Sequence, residues 1–352
     1  MTKKTGIVKD IRYLKHGTAF MEPETSKRLL SIYTMLESSG MKDKLIDIEP
    51  RYAEISELAL FHETAYIDMV AGTAGKKYCS LDPDTGTTED SYDVARLAVG
   101  GVCNAVDRVL TGDCDNAFAL VRPPGHHAEP GRAAGFCIFN NIVIGALYAL
   151  TRRDVHKILI VDWDLHHGNG TQNAFYSDNR VLYFSIHEYP SYPGTGAAEE
   201  IGRDGGEGYN INIPLAPGAG DADYLAITGT VLEPVANEFK PDLIMVSAGF
   251  DIYHRDPLGG MKVTEKGFAA LTRVIMNIAD RCCRGKLVAT LEGGYHIGGL
   301  TGSVKAVLHE LLNETPLSEA ELDDMERDGL HRQDSVIKRV RENIEPFWPV
   351  FK

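Results

Sequence analysis

The stretch ILIVDWDLHHGNG, residues 158–170, joins a run of apolar residues to a cluster of polar side chains. The apolar start is typical of a buried strand. The two aspartates and two histidines that follow are costly to bury unless they are paired. Asp162 and Asp164 are two residues apart, so on an extended strand their side chains point the same way. The stretch therefore predicts a buried strand that ends in a site for chemistry.

Similar apolar, β-branched runs recur along the chain, and amphipathic patterns separate them. The runs that predict strands are residues 5–10, 116–124, 157–164, 180–187, 209–215, 242–249 and 286–294. The patterns that predict helices are residues 92–110, 140–153, 222–239 and 264–283. This alternation predicts an α/β fold with a mostly parallel sheet sandwiched by helices.

We expect one domain over residues 1–352, because no repeat or low-complexity linker divides the chain. Its core is expected at about residues 5–312. Residues 313–352 are predicted to be a charged helical extension, and SEAE at 318–321 is a capping box at the start of its helix.

Several predicted strands end in polar, glycine-rich segments. The carboxyl ends of strands in an open α/β sheet border the ligand crevice, so these segments should converge on one active site. They are RPPGHHAEPG, VDWDLHHGNG, SIHEYPSYPGTG, SAGFDIYHRDP and LEGGYH.

The composition limits the possible partners and compartment. The formal net charge is −14, and no run of Lys or Arg provides the basic surface that direct nucleic-acid binding requires. The acidic balance either attracts cationic substrates or only keeps the protein soluble. No apolar stretch is long enough to cross a membrane, no secretory signal is present, and the six cysteines lack CxxC spacing. We therefore expect a cytoplasmic protein with reduced thiols; homo-oligomerisation stays open.

Asp164, His166 and Asp251 are the candidate metal ligands. One histidine and two carboxylates, with positions left open for water and substrate, are typical of a catalytic metal site. Zn²⁺ fits this set, and Fe²⁺ fits nearly as well because two of the ligands are oxygens. Alternatively, the aspartates cap a loop and His166 is a paired polar histidine.

The adjacent His126 and His127 are candidate acid and base groups. Asp162 is available to orient one of them and Asn169 the other. A carboxylate partner raises the pKa of a histidine more than an amide does, so the two rings should differ in protonation. Tyr295 could donate a hydrogen bond to the oxyanion formed when water attacks a carbonyl. The alternative is that the histidines and Tyr295 only fill space.

The motifs RPPGHHA, GFCIFNN, VDWDLHHGNGTQ, SIHEYPSYPGTG, GYNINIPL, AGFDIYHRDPLGG and LEGGY resemble the zinc-dependent histone deacetylase superfamily. They are most similar to its class II branch and prokaryotic members, and the resemblance runs from about residue 58 to Tyr295. It implies an arginase-like α/β fold, a metal at the base of a narrow tunnel, and amide hydrolysis that releases acetate.

The resemblance also implies roles for individual residues. Asp164, His166 and Asp251 would bind the metal, and the histidine pairs would be His126 with Asp162 and His127 with Asn169. His127 would be the general base and would later protonate the leaving amine, while Tyr295 would polarise the acyl carbonyl. A structural potassium ion would bind carbonyls around Asp162, Asp164, His166, Ser185 and Ile186.

The same resemblance places the substrate tunnel. Phe136 and Tyr192 match its aromatic walls, and Gly135 and Leu258 would also contact substrate. Many relatives have phenylalanine where Tyr192 stands, which changes the polarity of the tunnel. Asp82 lies near the position of the rim aspartate that grips the substrate backbone, although LDPDT leaves Asp84 as an alternative.

Two comparisons within the superfamily narrow the expected activity. Arginase-type relatives hold two metals through extra aspartates, whereas this chain has His167 and Tyr253 at those places, so one metal is expected. Acetylpolyamine hydrolases carry a long rim insertion or a glutamate gatekeeper, where this chain has a short loop and Leu258. The favoured substrate is therefore an acetylated lysine peptide or protein. Acetylpolyamines or another small acetylated amine, and a non-catalytic acyl-lysine-binding module, are the alternatives.

Overall fold

The sheet forms from strands that match the predicted apolar runs. A computed structural model describes residues 3–17, 23–314 and 317–352. Its strands are β1 (Thr5–Val8), β2 (Ile46–Ile48), β3 (Cys79–Asp82), β4 (Thr85–Thr87), β5 (Asn116–Ala119), β6 (Ile158–Asp162), β7 (Val181–Glu188), β8 (Asn210–Leu215), β9 (Leu243–Ala248) and β10 (Leu287–Leu291).

The helices connect these strands and cover them. They are α1 (Lys27–Ser38), α2 (Ile55–Leu58), α3 (Thr64–Ala71), α4 (Ser91–Leu110), α5 (Asn141–Leu150), α6 (Asn169–Phe175), α7 (Asp221–Ile227), α8 (Glu233–Phe239), α9 (Glu265–Cys283), α10 (Ile297–Leu311) and α11 (Glu319–Ile344). Short 3₁₀ turns occur at Ile11–Lys15, Met41–Lys44, Asp204–Gly206 and Pro349–Phe351.

Eight of the described strands form one sheet in the order β2-β1-β5-β10-β9-β6-β7-β8. Every neighbouring pair in this sheet is parallel. Strands β3 and β4 form a separate antiparallel hairpin. All carboxyl ends of the large sheet therefore lie along one edge, as the sequence predicts.

Helices cover both faces of the sheet. Successive residues of a strand point to opposite faces, so neighbouring residues of one strand contact helices on different sides. On β9, the Met245 side chain lies against Gly145 of α5. The next residue, Val246, faces a small cavity together with Ile275 of α9 and Val307 of α10. This confirms a single α/β domain in which helices sandwich a parallel sheet.

The predicted helix over residues 222–239 forms, with a local change of helix type in its middle. A π-helical turn at Thr228–Leu232 separates α7 from α8. Gly229 lies in that turn against Glu326 of α11, and an added Cβ would collide with the glutamate. Pro234, at the start of α8, has no N–H to donate to a continuous α-helix.

The charged C-terminal segment forms α11, and its predicted capping box is present. The Ser318 hydroxyl accepts the Glu321 N–H, while the Glu321 carboxylate accepts the Ser318 N–H. Apolar α11 residues such as Val340 and Ile344 are buried, and the helix packs on α7 and β8. Among the described helices, none is both long and apolar enough to span a bilayer.

Candidate active site and metal centre

The three predicted metal ligands lie together at the carboxyl edge of the sheet. Asp164 and His166 follow β6, and Asp251 follows β9, the strand that pairs with β6. Ligand atoms of the three side chains lie within 4.8 Å of one another. His166 Nδ1 is 3.1 Å from Asp164 Oδ1 and 3.2 Å from Asp251 Oδ2. The fold therefore brings together residues that are 87 positions apart in the chain.

Backbone donors fix the orientation of both carboxylates. The Leu165 N–H donates to Asp251 Oδ1 at 2.9 Å, and the Gly293 N–H donates to Asp164 Oδ2 at 2.9 Å. Gly293 must be glycine for this approach, because an added Cβ would collide with the Asp251 carboxylate. Each aspartate thus keeps its other oxygen directed toward the ligand cluster.

The donor set fits a divalent cation. Asp251 Oδ2 is buried and accepts no hydrogen bond from the described residues. Burial and the neighbouring Asp164 carboxylate raise the pKa of Asp251 to about 7. A cation held by the two carboxylates and His166 Nδ1 would satisfy this oxygen and offset the repulsion between the carboxylates. Such a mixed oxygen and nitrogen set suits Zn²⁺ or Fe²⁺.

Both predicted histidine pairs are present. His126 Nδ1 lies 3.1 Å from Asp162 Oδ2, and His127 Nδ1 lies 2.8 Å from Asn169 Oδ1. The two histidines are buried, and their ring centroids are 4.0 Å apart. Each ring therefore has one nitrogen engaged by a polar partner behind it.

The surroundings of the two histidines shift their pKa values in opposite directions. Burial disfavours the charge on His126, but the carboxylates of Asp164 and Asp162 outweigh it and raise its pKa to about 10. Burial and the nearby His126 and His166 hold the pKa of His127 well below its ordinary value. In this arrangement His126 is cationic at neutral pH and His127 is neutral.

Tyr295 follows the glycine pair after β10 and faces the same cavity. Its ring centroid lies 6.0 Å from that of Phe136, and the Arg28 guanidinium lies 5.0 Å from its ring centroid. Burial raises the pKa of the Tyr295 phenol well above 10, so the phenol keeps its proton at neutral pH. Tyr295 can therefore donate a hydrogen bond into the cavity.

A cavity of about 110 Å³ connects this chemistry to the surface. Tyr192 packs edge-on against His127, with ring centroids 5.0 Å apart, and is 43% exposed at the mouth. Phe136 and Leu258 also border the cavity, as predicted, and Leu258 is 43% exposed. The lining residues are Asp84, Pro124, His126, His127, Gly135, Phe136, His166, Tyr192, Leu258, Gly293 and Tyr295.

Of the two candidates for the rim aspartate, Asp84 borders the cavity. Asp82 is the last residue of β3 and does not line the cavity, whereas Asp84 does. The turn between β3 and β4 points Asp84 toward the tunnel wall. There its Oδ1 accepts the Gly135 N–H at 2.9 Å and the Thr85 hydroxyl at 2.8 Å.

The residues predicted to surround a potassium ion adjoin the metal ligands. Strands β6 and β7 are neighbours, and Asp162 is in register with Ser185. Ser185 and Ile186 are both buried. Potassium binding by the carbonyls of this region stays a prediction.

Glu292 is a site residue to which the sequence assigned no role. Its Oε2 accepts the Gly125 N–H at 2.7 Å and the His126 N–H at 3.2 Å, and its Oε1 accepts the Ser247 hydroxyl at 3.0 Å. Burial raises its pKa to about 7. Glu292 therefore ties the histidine loop to β9 and β10. A glutamate at the end of an apolar strand is the signal that could have revealed it.

A buried ion cluster behind Tyr295 was also missed. Arg28 donates from Nε to the Gly294 carbonyl at 2.7 Å and from Nη1 to Glu24 at 3.0 Å. Arg122 donates to the same glutamate at 2.5 Å, and all three charged side chains are fully buried. The cluster supports the turn that carries Tyr295. Arg28 lies on α1, which was not among the predicted helices.

Comparison with known proteins agrees with this geometry. The histone deacetylase domain family matches residues 22–311. A probable deacetylase of Archaeoglobus fulgidus is 38% identical over 99% of both chains. Human histone deacetylase 9 is 40% identical over 94% of this chain, and Arabidopsis thaliana histone deacetylase 15 is 39% identical over 99% of it. The alignments cover only 36% and 63% of those two longer proteins.

A solved structure gives the same result at the level of the fold. The crystal structure titled HDA15 HD domain has a TM-score of 0.90 and 39% identity, covering 99% of this chain and 97% of that one. The family match spans the strand ends that carry the metal ligands, the histidine pair and Tyr295. The chain therefore belongs to the histone deacetylase family and is a deacetylase-type hydrolase.

Proposed function

We propose that the protein is a metal-dependent deacetylase that removes acetyl groups from lysine side chains of proteins or peptides. One observation carries the proposal. A three-ligand cluster, a neutral histidine and a protonated tyrosine all meet at one narrow cavity. The family is generally metal-dependent, which supports the same conclusion.

Asp164, His166 and Asp251 would hold the divalent ion. When bound, the ion supplies a Lewis acid for the acyl oxygen and for the attacking water. The chain contributes the proton transfers. His127 Nε2, which has no hydrogen-bond partner in the described structure, accepts a proton as water adds to the acyl carbon.

Two further groups complete the reaction. Tyr295 donates a hydrogen bond to the acyl oxygen as negative charge develops there. The C–N bond then breaks, and His127 returns its proton to the leaving amine, so that acetate and the free lysine are the products. His126 keeps its own proton through Asp162 and remains a fixed positive charge beside the reaction centre.

The shape of the cavity favours a long, thin substrate arm. Phe136 and Tyr192 provide flat aromatic walls for the methylene stem of lysine, and Leu258 adds an apolar contact at the mouth. Asp84 lies at the same mouth, where its carboxylate can accept hydrogen bonds from the substrate backbone. No described lining residue is a glutamate.

A small acetylated amine is the second candidate. The net charge of −14 and the Asp84 carboxylate at the mouth favour a cationic substrate such as an acetylpolyamine. The rates of acetate release from an acetyl-lysine peptide and from a small acetylated amine distinguish the two substrate classes. Only the peptide can form hydrogen bonds between its backbone and the rim of the cavity.

The test measures acetate release from an acetyl-lysine peptide and from N-acetylputrescine at matched concentrations. Zinc-loaded and iron-loaded enzyme are compared with chelated enzyme, and metal is then restored. The proposal predicts faster release from the peptide, loss of activity on chelation and recovery with metal. Faster turnover of N-acetylputrescine would replace the substrate class, and no release by either loaded form would refute the proposal.

A further inference from the structure

We infer that Glu129 is a positioning residue that acts through Asn169 to set which nitrogen of His127 carries the proton. The inference deepens the proposed function and rests on it, because His127 acts as a base only in that reaction. The tautomer of the His127 ring can be measured separately from turnover.

The three side chains form a continuous hydrogen-bonded chain. His127 Nδ1 lies 2.8 Å from Asn169 Oδ1, and Asn169 Nδ2 donates to Glu129 Oε1 at 2.7 Å. Asn169 is 6% exposed, so water competes little for its amide. Asn173, one turn further along α6, donates to the same Glu129 oxygen at 2.8 Å.

Glu129 resolves an ambiguity that Asn169 alone leaves open. The oxygen and nitrogen ends of an amide have similar shapes, so Asn169 could present either end to His127. A carboxylate only accepts hydrogen bonds, so the NH₂ group must face Glu129 and the oxygen must face His127. His127 Nδ1 then has to donate, and Nε2 is left unprotonated toward the cavity.

The neighbouring pair shows why a third group is needed here. Asp162 is itself an acceptor and therefore makes His126 Nδ1 a donor directly. Asn169 can do the same for His127 only if another group fixes its amide. Without Glu129, a flipped amide would donate to Nδ1 and stabilise the tautomer whose Nε2 already carries a proton.

The backbone holds Glu129 in place for this role. Its N–H donates to the Arg132 carbonyl at 2.9 Å, and its own carbonyl lies 3.0 Å from His62 Nδ1. The carboxylate is thus anchored on the histidine loop, and the amides it receives come from α6. This geometry links the loop that carries the base to the helix that orients it.

The first test compares Glu129→Ala, Glu129→Gln and the matched control Asn173→Ala. We expect Glu129→Ala to lower kcat by roughly 10–100-fold with KM within about twofold, as is typical when an outer partner of a functional histidine is removed. Glu129→Gln can present either an oxygen or an NH₂ group to Asn169, so it should recover only part of that loss. Asn173→Ala removes only the other donor to Glu129 and should keep kcat within about twofold.

The second test uses charge. Asn169→Asp places a second carboxylate against Glu129, and their repulsion should lower kcat. Adding Glu129→Gln removes the repulsion and supplies a donor, so the double variant should exceed Asn169→Asp alone by about tenfold. A residue with only a structural role would instead make the double variant worse than either single variant.

The deciding measurement is ¹⁵N NMR of the His127 ring, assigned by its loss in His127→Ala. We expect a protonated Nδ1 in the wild type and in Asn173→Ala, and a mixed tautomer in Glu129→Ala. An unchanged tautomer in Glu129→Ala would overturn the inference. If the wild type released no acetate but Glu129→Ala still mixed the tautomers, the proposed function would fail while control of the tautomer by Glu129 would stand.

Discussion

His126 and His127 carry the same ring at adjacent positions, and their partners give them different tasks. Asp162 and Asp164 surround His126 with negative charge, which raises its pKa to about 10. Burial and the neighbouring His126 and His166 hold the pKa of His127 well below its ordinary value, so this ring stays neutral. Burial and the charges around each ring, and not the ring itself, therefore decide which histidine can accept a proton.

Removing the base or the phenol should stop turnover without unfolding the protein. We expect His127→Ala and Tyr295→Phe each to lower kcat by at least ~100-fold, because each removes an interaction made in the transition state. Steady-state kinetics on an acetyl-lysine peptide gives the loss, and bound metal is measured in the same samples. A variant that keeps more than about a tenth of wild-type kcat would contradict the role of that residue.

The metal ligands should behave differently from the base and the phenol. Asp251→Ala removes one of two carboxylates and should abolish tight binding of a divalent ion, because one histidine and one aspartate form a poor site. Metal content after gel filtration, measured on protein that circular dichroism shows to be folded, checks this. A fully loaded Asp251→Ala variant would refute the ligand assignment.

The sequence predicts the site residues that belong to recognisable motifs. Asp164, His166 and Asp251 stand at strand ends, so their convergence follows from the parallel sheet. Arg28 is different, because it reaches Tyr295 from a helix far away in the sequence. Glu129 lies inside a recognised motif, yet its role depends on a contact with Asn169 that only the folded chain shows.

Side-chain hydrogen bonds hold the segments between strands and helices in place, and the hydrophobic periodicity of the sequence does not reveal these bonds. His62 follows α2 and joins this region to α5. Its Nε2 accepts the Asn140 N–H at 2.9 Å, while Nδ1 lies 3.0 Å from the Glu129 carbonyl. Burial lowers the pKa of His62 to about 4, so the ring is neutral in the folded protein at neutral pH.

The low pKa of His62 predicts that the protein loses stability in acid at this residue. His62 is neutral when folded until the pH approaches about 4, but in the unfolded chain it takes up a proton near pH 6.5. The neutral His62 ring therefore contributes its full share to the free energy of unfolding above pH 6.5. This share is lost as the pH falls toward 4, by up to about 3 kcal/mol. His62→Gln does not titrate and serves as the reference.

Urea unfolding of both proteins at pH 7.5, 5.5 and 4.5 checks the sign. The wild type should lose stability relative to His62→Gln as the pH falls. A difference between the two proteins that stays constant with pH would show that His62 titrates normally.

The predicted strands all form, because an apolar run between turn residues leaves few alternatives. They are shorter than predicted where the polar segments leave the sheet, as at Ala119. The predicted helix over residues 222–239 forms, but periodicity did not reveal the π-helical turn at Thr228–Leu232 inside it. Helix α10 was not predicted, because the glycines at its start are poor helix formers. One of them, Gly299, lies against the ring of Tyr253.

At the scale of the whole molecule, the C-terminal segment is part of the packed structure. Trp348 follows α11 and is only 4% exposed. Its Nε1–H donates to the Gly208 carbonyl at 2.8 Å, and its ring packs against Tyr209 and Phe239. This contact joins the end of the chain to the edge of the sheet near β8.

Trp348→Ala should therefore destabilise the protein by roughly 3–5 kcal/mol, since it removes a large buried ring and leaves a cavity. Val350→Ala is the matched control, because Val350 is 47% exposed and should change stability by no more than about 0.5 kcal/mol. Denaturant unfolding of the two variants gives the comparison. Equal effects would show that the segment adds little to the fold.

The proposed function requires one divalent ion at the carboxyl edge of the sheet. The most direct measurement is anomalous diffraction at the zinc absorption edge from crystals of zinc-loaded protein. We predict one strong peak per chain, within bonding distance of Asp164, His166 and Asp251. A map with no peak among these three side chains, or with the zinc bound elsewhere, would contradict the claim.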